Sequence, residues 1–106
     1  MSTHAVIGLQ MPAGDIMGCY VHYDGHTIFG RLHTYLSTHT TTDLAMVIAQ
    51  GQACGGIRSF PVEDADDLLD DNEAYVIDRK NWGDDHYGAR YRFLVDYKTG
   101  TIDVND

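Results

Sequence analysis

The hydrophobic period changes at Asp24-Gly25, and that switch constrains the fold more than any other feature of the chain. Upstream, Ile16 to Tyr23 reads as a strand, with Tyr20, His22 and Asp24 on one side and Cys19, Val21 and Tyr23 on the other. Downstream, Ile28, Leu32, Tyr35 and Leu36 recur at helical spacing and predict a helix over residues 27–37. The stretch GCYVHYDGHTIFG, residues 18–30, therefore reads as the corner of the fold. Gly25 turns the chain, Asp24 satisfies backbone amides, and the apolar side of the strand enters the core. Gly30 inside the predicted helix costs on the order of 1 kcal/mol relative to alanine, which points to close packing or to a late helix start.

The flanking segments complete an α+β pattern. AVIGLQ at 5–10 is apolar enough for a first strand, and MPAGD at 11–15 turns it into a hairpin with the second. THTTTD at 38–43 breaks and restarts the chain: one of its threonines accepts an N-cap hydrogen bond, and Asp43 sits where its charge suits the helix dipole. Leu44, Val47 and Ile48 supply the stripe of a second helix with Gly51 as its C-cap. A glycine-punctuated connection, 51–61, holds a short extended piece at Ile57 to Phe60. AYVID (74–78), RYRFLVDY (90–97) and TIDV (101–104) read as later strands, the last two joined by the turn KTG. The expectation is a single α+β domain over 1–106: a small antiparallel sheet of four to five strands packed against two short helices on one face. A chain of 106 residues has room for one core, and 43% hydrophobic residues with two prolines argues against disorder. With no leader-like start and no run able to span a bilayer, the expected location is the cytoplasm and no membrane is expected as a partner.

Charge is unevenly distributed. The formal net charge is −9, yet EDADDLLDDNE at 63–73 holds seven acids and no base. Taking those seven from the sixteen acids leaves nine against seven Lys and Arg, a charge of −2. The acidity is thus mostly one patch, an acidic surface segment at 61–73 built on Glu63, Asp64, Asp66, Asp67, Asp70, Asp71 and Glu73. Nucleic-acid binding is disfavoured because no Lys/Arg cluster is present to meet phosphates. A partner protein with a basic surface, or imitation of nucleic acid, fits the patch better. Two cysteines, Cys19 and Cys54, do not make a disulfide framework and read as buried thiols.

Chemical motifs are sparse. Gln52-Ala53-Cys54-Gly55-Gly56 matches the pattern around a caspase nucleophile, with His4 fifty residues upstream, but the chain is far too short for that sheet. His22, Asp24 and His26 could form a two-histidine, one-carboxylate metal site, although their spacing fits none of the short metal motifs. Cys19 faces away from His22 and is a poor nucleophile for a relay. No phosphate-binding glycine loop and no calcium loop occurs, and no cofactor is expected. Seven tyrosines and a tryptophan exceed what a small core needs, and Trp82, His86 and Tyr87 share one polar loop suited to recognition or to covering the sheet.

The G-x-Y-x-H-x-D-G pattern at 18–25, with Gly30 and Leu32 following, resembles the start of small acidic proteins encoded by bacteriophages and prophage-bearing bacteria. HTTTDLAMVIAQGQACGGI (39–57) and AYVID (74–78) continue the likeness, which covers about half the chain. Tyr23 stands where that group usually has tryptophan. The resemblance implies a strand ending in the motif Tyr20, His22, Tyr23, Asp24, Gly25 that enters a helix, and no particular reaction. It implies an accessory protein that binds and inhibits or redirects a host protein from the host cytoplasm. The alternatives are a metal-binding or hydrolytic module on His22, Asp24 and His26, or a homo-oligomeric structural protein such as a homodimer.

Overall fold

The computed structural model describes residues 4–22, 27–53, 56–58, 60, 62, 77–78 and 91–105. Five strands and two helices follow in the order β1 (Ala5–Gln10), β2 (Ile16–Val21), α1 (Ile28–Thr38), α2 (Thr41–Ala53), β3 (Ile77–Asp78), β4 (Tyr91–Asp96) and β5 (Ile102–Asn105). The strands form one sheet in the order β3-β2-β1-β4-β5. The expected α+β class with two helices is what forms. One pairing departs from the antiparallel expectation: β1 and β4 run parallel, Ala5 beside Tyr91 and Gln10 beside Asp96. Side-chain alternation encodes which face a residue takes and not which way its neighbour runs. A parallel pair needs a long crossover, and eighty residues of chain (11–90), including both helices, separate β1 from β4.

β1 is the central strand, and its sequence suits that place. Ala5 to Leu9 are all buried, the near-continuous apolar run of a strand covered on both faces. Its hairpin to β2 closes through Met11 N–H to Asp15 O (2.7 Å) and Gly14 N–H to Met11 O (2.9 Å), with Gly14 at φ 97° where other residues would be strained. The β4–β5 turn uses Asp96, whose Oδ1 accepts from Lys98 N (2.9 Å) and Thr99 N (3.1 Å), and Gly100 at φ 74°.

Register puts Ala5, Ile7 and Leu9 in line with Val21, Cys19 and Met17 on one side and with Tyr91, Phe93 and Val95 on the other. These side chains share a core with Ile28 and Leu32 of α1, Leu44 and Ile48 of α2, and Ile57 and Phe60 of the connection. Both helices therefore cover the same face of the sheet, as expected. Full burial of each large apolar side chain there contributes about 1.5–3 kcal/mol. Cys19 lies in this core, 1% exposed, as the sequence reading required; Cys54 is outside the described residues.

α2 is fastened along its length. Thr40 and Asp43 form a reciprocal capping box, Asp43 N–H to Thr40 Oγ1 (3.2 Å) and Thr40 N–H to Asp43 Oδ2 (3.0 Å). Thr41 Oγ1 donates to Tyr97 O (2.8 Å), and Gln52 Nε2 donates to Gly18 O (2.8 Å). Gly51 is not the C-cap expected of it. The helix runs on to Ala53, and a Cβ at Gly51 would sit 2.9 Å from Cys19 Cβ and 3.1 Å from its Sγ. Glycine is there to let α2 press onto β2.

Gly30 differs from its expectation as well. α1 starts at Ile28, so the helix start is not late, and among the described residues nothing lies within 4 Å of the place a Gly30 Cβ would take. No described helix is long and apolar enough to cross a membrane.

Candidate functional site

Two side-chain constellations stand outside the core. The first lies on the sheet face opposite the helices. Ala5 pairs with Val21 and Val6 with Tyr20, so extending the register by one residue sets His4 across from His22. The imidazoles stack at 4.9 Å and 19°, and the His4 ring meets the edge of Tyr20 at 5.3 Å and 68°. His4 Nδ1 and the Tyr20 hydroxyl are hydrogen-bonded at 2.5 Å. His22 continues from β2 into Ile57: its N–H donates to Ile57 O (2.9 Å) while Ile57 N–H donates to Tyr20 O (2.8 Å). Burial, then the neighbouring His4 and Arg58 charges, hold the His22 pKa below its ordinary 6.5, so the neutral ring is favoured.

Tyr20 and His22 thus share a face while Cys19 and Val21 point into the core, the alternation read from the sequence. His4 was missed as their companion, since only register reveals it. Tyr23, Asp24, Gly25 and His26 lie outside the described residues, and so does the proposed metal set apart from His22. Among the described residues no three His, Cys, Asp or Glu side chains converge as metal donors. The acidic residues Glu63, Asp64, Asp66, Asp67, Asp70, Asp71 and Glu73, and the loop residues Trp82, His86 and Tyr87, are also outside the described residues.

The second constellation is a groove of about 530 Å³ along the outer side of α1. Thr27, Gly30, Arg31, Thr34, Tyr35 and Thr38 recur every three or four residues and so share one side of the helix, with His39 closing the end. Arg31 Nη1 donates to Phe60 O at 3.0 Å, which fixes the guanidinium at the groove's rim. Tyr35 is held between two rings: His39 stacks on it at 4.1 Å and 3°, and Phe60 meets it edge-on at 5.1 Å and 70°. Burial, with Asp43 adding a smaller effect, raises the Tyr35 pKa, so its phenol stays neutral. The sequence carried one signal of this groove, a glycine in a helix on the side away from the core stripe.

No known protein family, curated protein or solved structure matches the chain.

Proposed function

We propose that the protein is a binding module that engages a basic surface of a partner protein through its acidic segment, in the manner of a phage-type accessory protein acting on a host protein. The observation that carries this reading is charge segregation: seven of sixteen acids, with no base, fall within residues 63–73. Such a block attracts a basic surface over roughly a Debye length, about 8–10 Å at moderate salt, and speeds encounter more than it tightens the final complex. Affinity then comes from aromatic anchors, for which Trp82 and Tyr87 are the candidates. The likeness of residues 18–32 to small phage proteins supports a bacterial partner.

Affinity capture from a bacterial lysate tests this with two baits, the natural chain and a variant carrying Asp66→Asn, Asp67→Asn, Asp70→Asn and Asp71→Asn. The expected result is one stoichiometric protein with a basic surface, retained at low salt, released at high salt and lost with the variant. Capture that is indifferent to both salt and the substitutions removes the acidic segment from the mechanism.

A further inference from the structure

Nothing among the described residues calls for glycine at position 30. Its backbone is helical, unlike Gly14, Gly56 and Gly100, which take positive φ, and a Cβ there would touch nothing described within 4 Å. Alanine would stabilise α1 by about 1 kcal/mol. What the glycine does is leave the floor of the α1 groove open, and the groove's volume of about 530 Å³ is that of a small-molecule site.

The charge around the groove selects the ligand. Of the side chains lining the groove Arg31 and His39 are the basic ones and none is Asp or Glu, while Asp43 lies near enough to act on Tyr35, in a chain of net charge −9. Arg31 spends one N–H on Phe60 O and keeps the rest of its planar fork, whose geometry matches a carboxylate. Tyr35 stands four residues on, about 6 Å along the axis. Its ring is already immobilised by His39 and Phe60, so a ligand ring packing against it orders little that is not ordered beforehand. The neutral Tyr35 phenol adds no charge to repel an anion.

We propose that the α1 groove binds a small aromatic carboxylate, its carboxylate on the Arg31 guanidinium and its ring over Gly30 against Tyr35. The Thr34 hydroxyl, between them on the same side of the helix, supplies a further hydrogen bond. This site is independent of the acidic segment, and a failure of either leaves the other standing.

Phenylacetate is the probe and phenethyl alcohol its neutral counterpart, each titrated into the full chain while backbone amide NMR shifts are followed. Saturable shifts over residues 27–39 are expected with the acid, and binding roughly ten- to a hundredfold weaker with the alcohol or with Arg31→Gln. Gly30→Leu should abolish the shifts without lowering the melting temperature, because leucine favours the helix and fills only the groove. A melting curve on the same sample separates loss of the site from loss of the fold. The proposal is overturned if the alcohol binds as well as the acid, if Gly30→Leu binds normally, or if no saturable shift appears up to the solubility limit of phenylacetate.

Discussion

The two helices of this protein cover the same face of one sheet and are built to different ends. α2 is capped by the Thr40–Asp43 box, tied to Tyr97 at its start and to Gly18 near its end, and pressed onto Cys19 at Gly51. α1 follows Thr27, whose side chain does not cap the helix, has no acid in its first turn, and carries a glycine on its exposed side. Two of its residues, Ile28 and Leu32, are fully buried. The contrast teaches that stability is concentrated in α2, while α1 gives some up along the side that forms the groove. Helices that bind are drawn from the less stable parts of a structure.

The comparison breaks most sharply at the two glycines. Gly51→Leu should destabilise the protein by about 3 kcal/mol, the upper end of overpacking costs, since its Cβ already collides with Cys19 and the added atoms meet Ile57. Denaturant unfolding measures this directly. A small effect would mean that α2 can lift from β2, and the assignment of stability to α2 would fail.

How much of this was legible beforehand depends on what kind of information each feature needs. β1, β2, α1 and α2 were readable because apolar period reports which face a residue takes, and Thr40 to Asp43 were readable because a cap is a local hydrogen bond. The parallel pairing of β1 with β4 was not, because strand direction is decided by where the crossover runs. His4 joined His22 only once Ala5 was paired with Val21, a register no local pattern contains. Gly51 looked like a helix end because glycine ends helices often; its real role needed the position of Cys19. The groove is an absence of atoms, and Gly30 was its sole trace.

Removing the α2 cap gives an intermediate effect. Thr40→Ala should cost about 1 kcal/mol, because Asp43 N–H loses its acceptor. The partner side of the box has a pH signature. The backbone N–H of Thr40 holds the Asp43 pKa below the usual carboxylate value against an opposing contribution from burial, and the Thr40 side chain and His39 add smaller lowering effects. The folded state therefore binds a proton less readily than the unfolded state. The resulting stability is complete above the unfolded carboxylate pKa and is lost as pH falls through the lower folded value. The stability difference between the natural chain and Asp43→Asn should shrink across that acid window. A difference that stays constant down to the acid limit would show that the charge plays no part in the cap.

The smallest expected effect has the opposite sign and isolates α1. Gly30→Ala should stabilise the protein by about 0.5–1 kcal/mol, since alanine restricts the unfolded chain and, among the described residues, its methyl meets nothing within 4 Å. Alanine narrows the floor without filling it, so phenylacetate affinity should fall by less than it does with Gly30→Leu. A gain in stability together with weakened binding would show that glycine is kept at the cost of helix stability for what enters the groove. A loss of stability would mean that the methyl finds a neighbour after all, and Gly30 would then belong with Gly51 as a packing glycine.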